Sequence, residues 1–258
     1  MQFQSSLTSN EETAIYTVDQ LKSLDRGRIP AHIAIIPDGN RRWAKNNNLS
    51  VMRGHRQGAD NLIEIVKAGK ALGIKTITFY IFSTENWARE PIEVRALLWL
   101  LESYLVDQRA TMIENGVRLH TIGDGSRFST SVQRTIQETK NATAHCTDID
   151  MVFGLNYGAR DELRRAFQTI VEEKAQGKIN GEITESMIAS YLDTAKWPDP
   201  DLLIRTSGEQ RISNFLLWQT SYAEFYSVEL MWPDFQSKQL LEAILEFQRR
   251  ERRLGGGK

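Results

Sequence analysis

The chain has 258 residues, of which 41% are hydrophobic and 25% are charged, and its formal net charge is −1. These values are ordinary for a soluble globular protein, and such a small net charge gives no general attraction for nucleic acid or anionic lipid. Its single cysteine, Cys146, excludes an intrachain disulfide and suits a reducing compartment, while neither a signal peptide nor an apolar run of roughly 20 residues is found.

Residues 1–28 form a predicted N-terminal extension, polar and partly flexible, with weak helical periodicity from Glu11 to Leu24. From residue 29 to residue 258 one domain is predicted, in which apolar runs of strand length alternate with helical periodicity. The predicted strands are Ile33–Ile36, Thr76–Phe82, Val117–Ile122, Met151–Leu155, Leu202–Ile204 and Phe215–Trp218. The predicted helices are His55–Leu72, Glu93–Asn115, Phe128–Ala144, Asp161–Gln176, Thr184–Ala195 and Ser237–Arg250.

This alternation predicts an α/β fold, a single domain with a mainly parallel central sheet and helices on both faces. In such a fold the carboxyl ends of the strands meet at one edge, where ligands bind. The sequence contains neither a glycine-rich dinucleotide fingerprint nor a P-loop, and it has no Cys/His cluster for zinc. Any anion site must therefore be built from other elements.

The most informative segment runs from His32 to Ala44, HIAIIPDGNRRWA. A buried strand stops before Asp38, a Gly-Asn turn follows, and a helix then begins with Arg41 and Arg42. Free N–H groups at a helix start and arginine side chains both favour phosphate. A carboxylate among phosphate ligands is explained if Mg²⁺ bridges the two. The alternative is that Asp38 caps the helix and both arginines are solvated.

Similar groups follow other strands. Ser83, Asn86 and Arg89 come just after the run Phe79–Phe82, and the segment 205–214 carries two arginines and a serine beyond Leu202–Ile204. A helix that precedes both segments opens with Arg53-Gly-His-Arg. Cations and hydroxyls that recur at one edge of a parallel sheet indicate two phosphate-rich ligands held close together.

These motifs together resemble those of the undecaprenyl diphosphate synthases, which belong to the cis-prenyltransferase family. The resemblance spans about residues 30–256. The matching segments are Pro37–Ala44, Gly54-His55, Phe82–Trp87, Asn156-Tyr157-Gly158, Asp201–Glu209, Arg211–Gln219, Tyr222-Ala223-Glu224 and Trp232–Phe235. It implies a homodimer of α/β domains with a hydrophobic tunnel beside the sheet, a requirement for Mg²⁺ and no redox cofactor.

The resemblance also implies roles for individual residues. Asp38 corresponds to a catalytic Mg²⁺-binding aspartate and Glu224 to a second acidic residue linked to the metal. Gly39, Asn40, Arg42 and His55 correspond to the allylic diphosphate site, and Ser83, Asn86, Trp87 and Arg89 to a mobile segment that orders the substrates. Arg205, Arg211 and Ser213 correspond to the isopentenyl diphosphate pocket, and Arg253-Leu254-Gly255 to an element that reaches the partner's pocket. Arg41, Trp43, Arg53 and Glu85 complete the predicted substrate-binding set.

Three positions depart from the family pattern. Arg41 stands where bacterial members often have glycine, Val51 where an arginine is common, and Gln210 where many have a histidine. Arg53 is close enough in sequence to replace the charge missing at Val51. These departures concern the allylic site and the metal site.

The implied reaction ionises the allylic C–O bond, joins C1 to isopentenyl diphosphate and forms a cis double bond. We expect Asn86 to orient the substrates and a diphosphate oxygen to accept the proton. We expect His55 to be a phosphate donor at a helix start, and the alternative is that it acts as the base instead of the diphosphate oxygen. The apolar face of Glu93–Asn115 suits a tunnel wall, although packing in the core explains it equally well.

The expected substrates are farnesyl diphosphate and isopentenyl diphosphate, and the expected product is undecaprenyl diphosphate, a lipid carrier for cell-wall sugars. A cytoplasmic enzyme in peripheral contact with the inner face of the membrane is expected, without a nucleic acid partner. The alternatives are a shorter product, a non-catalytic scaffold subunit and a phosphohydrolase that uses Asp38. A trans-prenyltransferase is disfavoured because the chain contains no Asp-Asp pair.

Overall fold

A computed structural model of the chain describes residues 15–251. The predicted element Arg253-Leu254-Gly255 and part of the N-terminal extension lie outside the described residues. Within residues 15–251, no helix combines the length and the apolar character needed to cross a bilayer.

The described residues form one six-stranded sheet in which all neighbouring strands run parallel, in the order β3-β4-β2-β1-β5-β6. The strands are β1 (His32–Ile36), β2 (Thr76–Ser83), β3 (Val117–Ile122), β4 (Ile149–Tyr157), β5 (Leu202–Thr206) and β6 (Glu224–Val228). The central strands β1 and β5 are buried at every residue, as expected of strands covered on both faces. The predicted α/β fold is confirmed, and the carboxyl ends of all six strands share one edge.

Helices connect these strands in the described part of the chain. They are α1 (Val18–Lys22), α2 (Asn40–Asn46), α3 (Val51–Leu72), α4 (Pro91–Asp107), α5 (Arg109–Glu114), α6 (Thr130–Thr143), α7 (Ala159–Ala175), α8 (Glu185–Ser190) and α9 (Ser237–Arg249). The single helix predicted from Glu93 to Asn115 is two helices, because the chain breaks at Gln108. The last predicted helix before β5 is shorter than expected and covers only Glu185–Ser190.

The prediction of a strand at Phe215–Trp218 is wrong. Phe215 and Leu216 are fully buried, but they lie in a loop where Leu216 has a left-handed backbone with φ of 47°. The apolar run therefore fills the core without pairing with the sheet. The sixth strand is Glu224–Val228, which the sequence pattern did not indicate.

Two hydrophobic cores cover the two faces of the sheet. Alternation along β1 sends Ile33 and Ile35 into one core and Ala34 and Ile36 into the other. The larger core packs the sheet against α3, α4 and α9, and the smaller one contains the buried loop at Phe215. The described part of the N-terminal extension joins the larger core, where Tyr16 is buried and its hydroxyl donates to the Ser237 carbonyl over 3.0 Å.

Close packing of α2 on α3 fixes the entrance to the site. A Cβ atom at Gly54 would lie 2.2 Å from the Asn40 carbonyl oxygen, and one at Gly58 would lie 2.2 Å from Asn40 Oδ1. Two glycines one helical turn apart thus let the helices approach where larger residues would clash. The start of α2, with Arg41 and Arg42, is held beside the carboxyl end of β1.

Candidate functional site

A cavity of about 660 Å³ opens at the carboxyl ends of β1, β2 and β5 and extends between the sheet, α3 and α4. Its polar side chains include those of Asp38, Asn40, His55, Ser83, Glu85, Asn86, Arg89, Arg205, Ser213 and Asn214. Its apolar wall includes Ile36, Leu62, Ile81, Phe82, Leu97, Leu98, Leu100, Leu101, Tyr104, Phe153 and Trp232. One chamber therefore combines a charged region with an apolar one. Leu97, Leu98 and Leu101 line it from α4, whereas Trp99 is 60% exposed and faces solvent.

A buried ion pair lies at the charged end. Arg205 Nη2 is 2.9 Å from Asp38 Oδ2, and the Arg205 side chain is only 4% exposed. Arg205 Nη1 also donates to Ser213 Oγ over 2.8 Å, while its Nε atom is buried without a partner. Thr206 Oγ1 accepts from Asp38 N and donates to Asp38 O, which fixes the ends of β1 and β5 together. A buried guanidinium with an unused N–H is well placed to bind an anion.

A second carboxylate extends this network outward. Arg42 Nη2 lies 3.4 Å from Asp38 Oδ1 and 3.2 Å from Glu209 Oε1, and Arg211 also pairs with Glu209. Glu209 thus holds two of the predicted ligand arginines. Its place between them was not predicted from the sequence.

The residues after β2 form a 3₁₀ turn, Thr84–Ala88, in which Glu85 and Asn86 line the cavity together with the flanking residues Ser83 and Arg89. Asn86 Oδ1 accepts from Ser83 N over 3.0 Å, and Glu85 Oε1 accepts from Asn214 Nδ2 over 2.8 Å. Burial opposes ionisation of Glu85, but hydrogen bonds from Asn214, from its own backbone and from Ser83 and Thr84 hold its carboxyl pKa below the usual value. Arg89 is paired with Glu93 over 3.0 Å.

His55 lines the cavity from the second turn of α3, and its buried Nε2 has no partner. Burial lowers the imidazole pKa to about 4, and the charges of Arg89 and Arg41 act in the same direction, although Glu93 opposes them. His55 is therefore neutral at pH 7. A neutral ring can donate one hydrogen bond and accept another, so both roles considered for His55 remain compatible with its position.

Comparisons with known proteins agree with this geometry. A family model described as "Putative undecaprenyl diphosphate synthase" matches residues 36–255. The isoprenyl transferase of Chlamydia trachomatis is 46% identical over 235 residues, covering 89% of this chain and 92% of that protein. The isoprenyl transferase of Bacillus cereus is 44% identical over 237 residues, covering 92% of each.

The chain belongs to this cis-prenyltransferase family. Solved structures also show the same fold. Lavandulyl diphosphate synthase from Lavandula x intermedia, in complex with dimethylallyl diphosphate, gives a TM-score of 0.86 at 33% identity, covering 89% of this chain and all of that one. A "probable undecaprenyl diphosphate synthase" from Campylobacter jejuni gives 0.75 at 32% identity, covering 88% of this chain and 99% of that one.

This cis-prenyltransferase brings nine of its predicted site residues together at the cavity. They are Asp38, Asn40, His55, Ser83, Glu85, Asn86, Arg89, Arg205 and Ser213. Gly39, Arg41, Arg42 and Arg211 do not line the cavity, but Gly39, Arg42 and Arg211 bond to the lining residues Asp38 and Arg205, and Arg41 adjoins Asn40. Arg53 is exposed on the first turn of α3, and Trp43 Nε1 donates to Asp234 over 2.8 Å. Gln210 is exposed.

Glu224 lies at the other end of the sheet. It pairs in register with Leu202 at the start of β5, whereas Asp38 follows Ile36, which pairs with Arg205 at the far end. At about 3.3 Å per residue, more than roughly 10 Å separates the two carboxylates, so one chain cannot place both on one ion. Within its own chain Glu224 is paired with Arg250 over 3.0 Å.

The described residues contain no group of three or more His, Cys, Asp or Glu side chains that could hold a metal. Mg²⁺ is commonly bound by one or two carboxylates together with substrate phosphates and water. Asp38, 29% exposed at the cavity and surrounded by arginines, fits such a shared site. The residues thus suit a metal that arrives with a diphosphate.

Sequence reasoning also missed Glu93. Its Oε1 atom accepts from Arg89 over 3.0 Å and from Arg41 over 3.4 Å, which joins α2, the turn after β2 and α4 at the mouth of the cavity. Arg89 precedes α4, which begins at Pro91, so the spacing rule for pairs on a helix gives no sequence signal for this contact. The contact between Glu93 and Arg41 is long-range, so no local sequence pattern indicates it.

Proposed function

We propose that this enzyme adds isopentenyl diphosphate units to an allylic diphosphate, farnesyl diphosphate by preference, to give undecaprenyl diphosphate, the lipid carrier for cell-wall polysaccharides. The observation that supports the proposal is the single cavity with an arginine-rich end and an apolar end. An allylic diphosphate has the same two parts, a multiply charged anionic head and a hydrocarbon tail. Arg205 and Asp38 suit the head region, and the leucines of α4 suit the tail.

In the proposed reaction the allylic C–O bond breaks, C1 bonds to isopentenyl diphosphate, and a proton leaves to form the cis double bond. Arginines 42, 89, 205 and 211 stabilise charge on the two diphosphates. Asn86 orients the substrates, and a diphosphate oxygen takes the proton. Mg²⁺ bound by Asp38 and a diphosphate would supply further charge stabilisation to the leaving group. The apolar wall excludes water, which strengthens each of these interactions.

A shorter product is the second candidate. A cavity of about 660 Å³ falls within the range of sites that enclose a single drug-sized ligand. The structural neighbour with a TM-score of 0.86 is a lavandulyl diphosphate synthase. Both observations favour a cis-prenyl diphosphate shorter than the undecaprenyl product.

We also propose a homodimer located in the cytoplasm. Glu224 is too far from Asp38 in its own chain, so a metal role for Glu224 requires a second subunit, and Arg253 and Gly255 are proposed to reach the partner's isopentenyl site. Because the product is a membrane lipid, peripheral contact with the inner face of the membrane is part of the proposal. Sedimentation measurements of the purified protein would test the dimer, which a monomer at assay concentrations would exclude.

The decisive experiment incubates the protein with farnesyl diphosphate, radiolabelled isopentenyl diphosphate and Mg²⁺, with and without EDTA. We expect a metal-dependent series of products ending at one length, and loss of about 10³-fold or more in rate for Asp38→Asn. Asp19→Asn is the matched control, since Asp19 is 87% exposed on α1. A folded protein that incorporates no label with any allylic primer would favour the scaffold alternative.

A further inference from the structure

Trp87 has a different position from the one expected of a substrate ligand. It belongs to the cavity loop, residues 83–90, whose Asn86 and Arg89 line the cavity, but Trp87 does not line it. Its ring packs 5.0 Å from Phe82 and 5.8 Å from Phe128 between centroids, and the Arg127 guanidinium lies 4.2 Å from the ring centroid. Trp87 therefore anchors the cavity loop to the body of the protein.

Asn156, at the carboxyl end of β4, holds this anchor by its side chain. Its Oδ1 accepts from Trp87 Nε1 over 2.7 Å, and its Nδ2 donates to the Asp124 carbonyl over 2.7 Å. The orientation is fixed, because an indole N–H only donates and a carbonyl only accepts. Asn156 is 7% exposed and has φ of 46°, a left-handed conformation that asparagine tolerates better than most residues.

The same end of β4 holds a second loop. A Cβ atom at Gly158 would lie 2.5 Å from Thr84 Oγ1 and 2.8 Å from Asn214 Nδ2, so both loops pack directly on this glycine. The Asn214 carbonyl accepts from Ala159 N over 2.8 Å, and its Nδ2 donates to Glu85 over 2.8 Å. The segment Asn156-Tyr157-Gly158 thus contacts both loops that carry proposed diphosphate ligands.

We propose that Asn156 is a positioning residue for prenyl transfer, acting through its hydrogen bond to Trp87. The bond sets the place of the cavity loop, and with it the places of Asn86 and Arg89 at the substrates. The predicted change in reaction rate rests on the proposed function. The predicted change in the position of the cavity loop does not depend on any activity. Small displacements of such groups cost up to about 10²-fold in rate.

The test is a double-mutant cycle of Asn156→Gly and Trp87→Phe. Glycine keeps the left-handed backbone available while removing the amide, and phenylalanine keeps an aromatic ring while removing the N–H. We expect each single variant to lower kcat/KM for isopentenyl diphosphate by about 10-fold to 100-fold. The double variant should lose no more kcat/KM than Asn156→Gly alone, because both substitutions break the same hydrogen bond between Trp87 and Asn156. Additive losses would overturn the proposal.

Hydrogen exchange provides the readout that does not require activity. Backbone amides of the cavity loop should exchange at least about 10-fold faster in Asn156→Gly and in Trp87→Phe than in the original protein. Gln248→Leu is the matched control, since this buried amide makes three hydrogen bonds to residues 25 and 28, away from the cavity. It should lower Tm yet leave both kcat/KM and loop exchange unchanged.

Failure of the proposed function and failure of the positioning role of Asn156 are distinguishable. An original protein that incorporates no isopentenyl diphosphate contradicts the proposed function, and the exchange experiment then decides on Asn156 alone. Unchanged exchange of the cavity loop in Asn156→Gly overturns the positioning role, whatever the activity. An equal acceleration in Gln248→Leu also overturns it, because the effect would then reflect a general loss of stability.

Discussion

The two ends of the parallel sheet differ in how completely their polar groups are satisfied. Among residues 15–251, six buried side-chain atoms lack a hydrogen-bond partner, and five of them belong to residues that line the cavity or directly follow β5. These five are Asn40 Oδ1, His55 Nε2, Tyr104 Oη, Arg205 Nε and Ser207 Oγ. At the amino end, by contrast, both ring nitrogens of His32 are bonded, to the Pro198 carbonyl over 2.6 Å and to Thr78 Oγ1 over 2.7 Å. Partnerless buried groups therefore mark the end that receives a ligand.

The backbone shows the same contrast. Of the six described non-glycine residues with positive φ, all but Asn48 lie at or beyond the carboxyl ends of β4 and β5. They are Asn156, Ser207, Ser213, Asn214 and Leu216. Strained backbone persists where the surrounding structure enforces it, and it commonly does so at functional sites. The carboxyl end is therefore shaped for binding at some cost in stability, and five experiments can break or sharpen this comparison.

The largest expected effect comes from the two buried or partly buried Arg–Asp pairs. Arg205→Met removes the buried cation that pairs with Asp38 and leaves only the more distant Arg42, and we expect kcat/KM to fall by about 10³-fold. Arg118→Met removes a comparable pair, in which Nε is 2.9 Å from Asp150, away from the cavity. It should change kcat/KM by less than about 3-fold, since it alters only stability. Steady-state kinetics would refute the contrast if both variants lost activity equally.

The next effect concerns helix packing below the cavity. In Gly58→Ala the new methyl group would meet Asn40 Oδ1 and Trp232, and we expect the free energy of unfolding to fall by about 3 kcal/mol. Gly125→Ala is the control, because no atom lies within 4 Å of its added Cβ. Urea denaturation of both variants measures the difference. A loss of under about 0.5 kcal/mol in Gly58→Ala would mean that α2 moves freely relative to α3.

His32 and His55 have similarly low pKa values and lie at opposite ends of the sheet, so they allow a direct comparison of the two ends. Burial lowers the pKa of His32 to about 4, partly offset by its bond to the Pro198 carbonyl and by the charge of Asp201. Because the unfolded state takes up a proton near pH 6.5 and the folded state does not, stability is lost as pH falls below 6.5. We expect His32 to contribute a loss of about 2 kcal/mol between pH 6.5 and 5. A flatter unfolding profile for His32→Asn over that range would verify it.

His55 should respond to a ligand while His32 should not. Pyrophosphate in the cavity would favour the imidazolium of His55, so its pKa should rise from about 4. Titration of the ring resonances by NMR, with and without pyrophosphate, measures the pKa values of both His55 and His32. A shift of His32 together with His55, or of neither, would contradict the placement of the anion at the carboxyl end.

The smallest effect tests the strained backbone. Ser207 has φ of 76° and a buried hydroxyl without a partner, so Ser207→Gly should raise the free energy of unfolding by about 1 kcal/mol. Ser126→Gly, in an exposed turn, should instead lower it slightly. Thermal unfolding compares the two variants. A lower Tm for Ser207→Gly would show that this serine is not strained.

The sequence predicted five of the six strands because each is an apolar run bounded by turn residues. It failed at β6, whose residues are all only half-buried, and at Phe215–Trp218, where an apolar run fills a loop. Local patterns cannot distinguish burial in a strand from burial in a loop with left-handed residues. The break of the long predicted helix at Gln108 left no proline or glycine to signal it.

For the site, the residues at strand ends could be predicted from the sequence, but their contacts could not. Asp38, Asn86 and Arg205 could be placed because parallel strands end at one edge. The anchoring of Trp87 by Asn156 could not, since 69 residues separate them. The distance of Glu224 from Asp38 depends on the register of β6, which was not predicted.

Helix α4 separates the cavity from solvent over much of its length. Leu97, Leu98 and Leu101 face inward, while Ile92, Trp99 and Val106, spaced seven residues apart, are exposed. The groups that handle diphosphate lie instead on α2, α3 and the loops after β2 and β5. The residues that set the size of the cavity and the residues that handle diphosphate are thus encoded in different stretches of the gene. Random substitution confined to codons 94–107, which spares Glu93, would then yield enzymes that differ in product size while retaining the same catalytic groups.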